Sequence, residues 1–87
     1  MKLTGQIDRL AVTDDEVMII DYKTNRAAPA KPEDVAPVYL YQLAAYRLAL
    51  SHIYPSKPIR AALVWTEVPQ LMEIPPAILD KYAAELW

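Results

Sequence analysis

The sequence predicts a small α/β domain, and three patterns carry that prediction. Residues 3–12 and 17–22 are rich in Val, Ile and Leu and flank the wholly polar Thr13-Asp14-Asp15-Glu16, which is the pattern of a β-hairpin. Residues 38–53 contain neither proline nor glycine, and Tyr39, Leu43, Tyr46 and Leu50 recur at the spacing of one helical face. A nearly unbroken apolar run, Ala61-Ala62-Leu63-Val64-Trp65, reads as a strand covered on both faces. At 87 residues there is room for one core, because a chain this short buries only about 60 to 65% of the surface it exposes unfolded.

Taken in order, the hairpin comes first. With a loop of two or four residues, facing positions sum to 29, so Val12 meets Val17, Leu10 meets Ile19, and Asp8 meets Asp21. Residues 25–37 are punctuated by prolines and predict a surface loop, since proline suits neither a helix interior nor a central strand. The helix over 38–53 must stop before Pro55 and Pro58. A strand over 59–66, a short paired strand over 71–74 and a closing helix over 76–86 follow, with Pro76 in that helix's first turn. The expected arrangement is one mixed or antiparallel sheet, with the 38–53 helix on a face and the last helix covering the rest. Leu10, Ile20, Leu43, Leu50, Leu63 and Trp65 are the expected core. Gly5 is the only glycine against eight prolines and is reserved for some special backbone position.

Composition narrows function by exclusion. With 54% hydrophobic and 23% charged residues the chain is globular in character. Its longest uncharged stretch, residues 36–46, is too short for a membrane span, which needs roughly 20 apolar residues. The first nine residues have no apolar core of signal-peptide length, so a cytoplasmic location is expected. The absence of cysteine excludes disulfides, thiolate zinc sites, iron-sulfur clusters and cysteine nucleophiles. A net charge of -2 supplies no general attraction to nucleic acid, so any such binding must come from a local site.

The hairpin register makes one candidate for that site. Asp21 and Lys23 are two apart in a strand and share a face, Tyr22 takes the other, and Asp8 joins the first two across the hairpin. Two carboxylates about 5 Å apart repel by roughly 3 kcal/mol at an effective dielectric near 20, and facing like charges weaken a sheet. A divalent cation offsets that repulsion, and an all-oxygen donor set favours Mg²⁺ or Mn²⁺. Lys23 beside it could orient or help deprotonate water, or neutralise charge building on a phosphate. An amphipathic hairpin whose charges simply face solvent gives the same spacing. Gln42 and Tyr46 are helical neighbours, yet they also fit a core tyrosine with a glutamine at its edge. Arg47 suits either a phosphate or a solvated helix surface, and His52 at the helix end is accounted for by the helix dipole.

Three segments together go further. Gly5-Gln6-Ile7-Asp8-Arg9-Leu10, Ile19-Ile20-Asp21-Tyr22-Lys23-Thr24 and Gln42-Leu43-Ala44-Ala45-Tyr46 resemble the nuclease domain of the RecB family, within the PD-(D/E)XK superfamily. The G-x-I-D-R, D-Y-K-T and Q-L-x-x-Y motifs occur in order, and the likeness continues through residues 61–66 and 71–75. It is greatest to the C-terminal nuclease domain of the AddA subunit of bacterial AddAB helicase-nucleases. The AddB-type and Cas4-type relatives hold an iron-sulfur cluster on cysteines, which this chain lacks.

The resemblance implies a restriction-endonuclease-like core. It makes Asp8, Asp21 and Lys23 catalytic, with Asp8, Asp21 and the Tyr22 carbonyl as Mg²⁺ or Mn²⁺ ligands and Gln42 and Tyr46 beside the DNA. It implies exonuclease hydrolysis of DNA, single-stranded ends being fed by a helicase, with an AddB-type partner, in double-strand break repair and recombination. The family core opens with a helix that adds a further ligand, and only seven residues precede Asp8. The expectation is therefore that residues 1–87 form one partial nuclease domain of a longer helicase-nuclease chain. Alone it should be weakly active or inactive, and it should tend to self-associate through the apolar face that helix would cover. No phosphate-binding glycine-rich loop is present, so ATP would act only through a helicase region outside this chain. The competing expectation is a noncatalytic, nuclease-like DNA-binding or subunit-docking module. A third is an unrelated α/β structural domain in which the D-x-K spacing is coincidental.

Overall fold

The computed structural model describes residues 8–24 and 27–86. Residues 3–7 of the expected first strand, Gly5 among them, and Asn25 and Arg26 of the loop lie outside the described residues.

The hairpin forms as its polar loop requires. Strand β1 (Arg9–Val12) runs antiparallel to β2 (Val17–Lys23), with Leu10 facing Ile19 and Val12 facing Val17. The loop has four residues. Thr13 closes it: its N–H donates to the Glu16 carbonyl at 2.9 Å, and its Oγ1 accepts from the N–H groups of Asp15 and Glu16 at 3.2 and 3.1 Å. A threonine hydroxyl that satisfies loop amides is what a short polar turn favours.

After β2, the loop contains a short 3-10 turn, Pro32–Asp34, and then α1 (Pro37–Ile53), whose first turn accepts a proline because no helical partner exists for that N–H. The helix carries the chain back so that β3 (Ile59–Trp65) lies parallel to β2, as a parallel pair demands. β4 (Gln70–Ile74) returns antiparallel to β3, and α2 (Pro76–Ala84) closes the chain. The sheet is mixed, with order β1-β2-β3-β4.

One face of this sheet holds the core. Val17 and Ile19 of β2, Ile59, Ala61, Leu63 and Trp65 of β3, and Met72 and Ile74 of β4 are buried with Leu40, Leu43, Ala44, Tyr46 and Leu50 of α1 and Leu79 of α2. From β2 to β4 the contributing residues are two apart along each strand, as alternation requires. The two helices are tied together by an Arg47–Asp80 ion pair at 2.6 Å and by Tyr41, whose ring meets Tyr82 edge-on at 4.7 Å and whose hydroxyl donates to Glu85.

Four expectations need correction. Leu10 is 40% exposed and Ile20 only half-buried. Leu10 sits on an edge strand beyond the reach of the helices, and Ile20 points to the opposite face, where no described element packs. The same one-sidedness corrects the reading of β3 as covered on both faces: Arg60 and Val64 are half-exposed. Ala62 is fully buried there by its neighbours alone, being small and paired between Ile20 and Glu73. Finally, the loop between β2 and α1 is not all surface, since Val35 is 2% exposed and joins the core. Among the described residues no helix is long and apolar enough to cross a membrane.

Candidate active site

The strand register places the two aspartates. Arg9 faces Ile20, the next step outward puts Asp8 level with Asp21, and the Asp8 carboxylate accepts a hydrogen bond from the Tyr22 N–H at 2.9 Å. The two carboxyl groups act on each other, and their pKa values are pushed in opposite directions. Asp8 is exposed, and its contacts with Asp21 and then with the Tyr22 amide lower its pKa. Burial, and then Asp8, raise that of Asp21. A buried carboxylate beside a second one resists ionisation, and the more solvated partner ionises first.

Asp21 is 8% exposed, the sole charged residue among the buried ones described. Its compensation is Lys23, whose Nζ lies 2.5 Å from Asp21 Oδ2, both side chains being nearly enclosed. Lys23 comes to the same face because it is two residues on, and it faces Trp65 across the parallel pair. Tyr22 takes the opposite face and is 41% exposed. Its carbonyl lies on the same edge of β2 as its N–H, the side occupied by Asp8, because both groups of a strand residue serve one neighbour. The Lys23 carbonyl points the other way, accepting from the Thr66 N–H at 3.2 Å.

The site is thus assembled on the covered face of the sheet, where β2 extends beyond β1. Asp21 and Lys23 belong to β2 itself, which continues to Lys23, and Asp8 lies just before β1. Asp8, Asp21 and Lys23 are brought together, as the register requires.

On α1, Tyr46 is 6% exposed and forms part of the core cluster, while Gln42 is half-buried one turn before it. Tyr39 has a contact that spacing did not reveal: the Lys23 ammonium stands over its ring, 3.9 Å from the centroid. Tyr39, Gln42 and Tyr46 lie three and four residues apart and so share one stripe of the helix, which starts at the site and leads away from it. Arg47 is spent on structure, donating to the Ile59 carbonyl at 3.2 Å as well as to Asp80. His52 is exposed in the last helical turn.

A family model for the PD-(D/E)XK nuclease superfamily matches residues 1–85. The chain belongs to this superfamily. No curated protein and no solved structure shows a significant match. PD-(D/E)XK proteins are typically nucleases that act on DNA and usually employ divalent metal ions. The mixed four-stranded sheet with two helices on one face is consistent with the fold of that superfamily.

The residues present fit a hard cation in kind. Asp8 and Asp21 offer oxygen alone and lie side by side, an arrangement that suits a small divalent ion. They are few in number: among the described residues no group of three or more Asp, Glu, His or Cys converges.

Proposed function

We propose that Asp8 and Asp21 of this PD-(D/E)XK chain hold a divalent ion, Mg²⁺ or Mn²⁺, for hydrolysis of a DNA phosphodiester, with Lys23 as the third catalytic group. The observation that carries the proposal is the meeting of three charges at the end of β2: Asp8 is held beside Asp21 by the Tyr22 N–H at 2.9 Å, and Lys23 Nζ lies 2.5 Å from Asp21 Oδ2. Lys23 offsets one of the two negative charges, and a purely structural hairpin has no use for the second beside it. The chemistry a divalent ion supplies at such a pair is neutralisation of phosphate charge and a more acidic water.

The chain's own residues divide the remaining work. Asp8, more solvated and more acidic, stays ionised and faces the open side. Asp21 couples the ion site to Lys23, whose ammonium is placed to orient a water or to meet charge developing on the phosphate. The Tyr22 carbonyl, on the Asp8 side of β2, is a further oxygen ligand. Along α1 from Tyr39, Gln42 has surface left for the nucleic acid, and Tyr46, 6% exposed, supports it from the core.

The finer reading follows from the three motifs. The chain is proposed to be a partial nuclease domain of an AddA-type helicase-nuclease, cytoplasmic, working on single-stranded ends beside an AddB-type partner in break repair and recombination. Its cysteine-free sequence supports the AddA side. A second reading, a noncatalytic DNA-binding or subunit-docking module, draws on the small number of converging acidic groups.

Hydrolysis of linear DNA by the whole protein, with Mg²⁺ or Mn²⁺ and with chelator, separates the two. Metal-dependent cleavage lost in each of Asp8→Ala, Asp21→Ala and Lys23→Ala, with any ATP-driven unwinding spared, is the expected result. Cleavage retained in all three variants overturns the assignment. DNA binding without cleavage under any of these conditions favours the docking module.

A further inference from the structure

We propose that Tyr39 is a positioning residue for Lys23, its ring serving as a second anchor that leaves the Asp21 carboxylate available to a metal ion. The inference rests on the nuclease reading above and concerns the same site. Lys23 Nζ has two neighbours that hold it: Asp21 Oδ2 at 2.5 Å and the face of Tyr39, 3.9 Å from the ring centroid. The lysine side chain is 11% exposed, so both contacts act where water screens little.

The two anchors differ in what happens when the site is used. A hard cation takes carboxylate lone pairs, and Asp21 Oδ2 is already engaged by the ammonium. An ion that takes this oxygen both removes the ionic anchor and repels the lysine. A flexible four-carbon stem then has every reason to swing towards solvent. The Tyr39 ring attracts the ammonium through its quadrupole, carries no formal charge and offers no carboxylate for which the ion competes. It is also firmly based. Tyr39 lies in the first turns of α1, is half-buried, and packs against the core whose α1 members include Leu40 and Leu43. What positions Lys23 during the reaction is therefore the ring face and not the phenol hydroxyl.

The test uses three forms of the whole protein: wild type, Tyr39→Phe, which keeps the ring, and Tyr39→Leu, which keeps apolar bulk without a π-face. In metal-free protein, NMR of the Lys23 ε-methylene should show an upfield ring-current shift in the wild type and in Tyr39→Phe, and none in Tyr39→Leu. In Mg²⁺-dependent DNA cleavage, Tyr39→Leu should lower kcat by about tenfold to thirtyfold with KM little changed, whereas Tyr39→Phe stays within about twofold of wild type. Unshifted ε-protons in the wild type overturn the contact even if Tyr39→Leu fails to fold. An unimpaired kcat in Tyr39→Leu, or a Tyr39→Phe as slow as Tyr39→Leu, overturns the positioning role. A wild type that shows the ring-current shift but cleaves no DNA overturns the nuclease reading instead, and with it any catalytic purpose of the contact.

Discussion

Asp21 carries a charge into the core, and Lys23 is what makes that tolerable. With 8% of the residue exposed, Asp21 has lost most of its hydration, and its burial and the nearby Asp8 raise its pKa. Replacing Lys23 by methionine keeps the stem but removes the ammonium 2.5 Å from Asp21. The orphaned carboxylate should cost about 2–3 kcal/mol at neutral pH, a little less than the loss seen for fully buried pairs. Urea denaturation of metal-free Lys23→Met measures it. Asp8→Asn removes a charge that the folded state favours, since its contacts with Asp21 and the Tyr22 amide lower the Asp8 pKa, while an amide oxygen still accepts from the Tyr22 N–H. Metal-free Asp8→Asn should melt slightly lower than wild type at neutral pH, and lose the rise in Tm that Mn²⁺ gives the wild type by binding the folded state. A thermal scan with and without Mn²⁺ tests both halves.

At the scale of elements, the tie between the hairpin loop, β3 and β4 on the open face of the sheet is Arg60. Its guanidinium meets Glu16 at 3.0 Å and Glu73 at 2.5 Å. The Arg60 hydrogen bond, and then its charge, hold Glu73 below the usual carboxylate range. A carboxylate with a lowered folded pKa contributes stability above its unfolded pKa and loses it as pH falls through the folded value. Tm should therefore decline on acidification more steeply in wild type than in Glu73→Gln, with the two curves converging once Glu73 is protonated. Parallel curves would mean the pair contributes nothing. On the covered face the arithmetic is larger: Ile19 and Leu43 are each no more than 1% exposed, and truncating either to alanine should cost about 2–5 kcal/mol in denaturant titrations.

These elements also show what could be read without coordinates. The hairpin register was legible because a polar four-residue loop and alternating strands leave one pairing, and that register alone brought Asp8 level with Asp21. Helix α1 was legible because sixteen residues without proline or glycine keep one apolar stripe. Its true start at Pro37 was hidden, since proline reads as a breaker even where the first turn welcomes it. Burial was harder. A period of two says that faces alternate but not which face is covered, which hides the exposure of Ile20, and it does not say which strand is the edge, which hides that of Leu10. The Tyr39–Lys23 contact was invisible because it joins residues sixteen apart through a crossover whose path spacing does not encode.

For the molecule as a whole, charge and donor count set what it can do unaided. A net charge of -2 gives phosphates little to approach, and two adjacent carboxylates leave most of a hard cation's coordination to water. Metal binding should therefore be weak, and DNA binding, followed by fluorescence anisotropy of a labelled single strand, should be slight in chelator and strengthened by Mn²⁺. Affinity indifferent to metal would point to a docking surface away from the aspartates. The central claim is that one ion is shared by Asp8 and Asp21. Paramagnetic broadening by substoichiometric Mn²⁺ in ¹H–¹⁵N spectra of the protein tests it most directly. The amides of Asp8, Asp21 and Tyr22 should fade first in the wild type and persist in Asp21→Asn. Broadening centred instead on Glu16 and Glu73, or unchanged by Asp21→Asn, would contradict the claim.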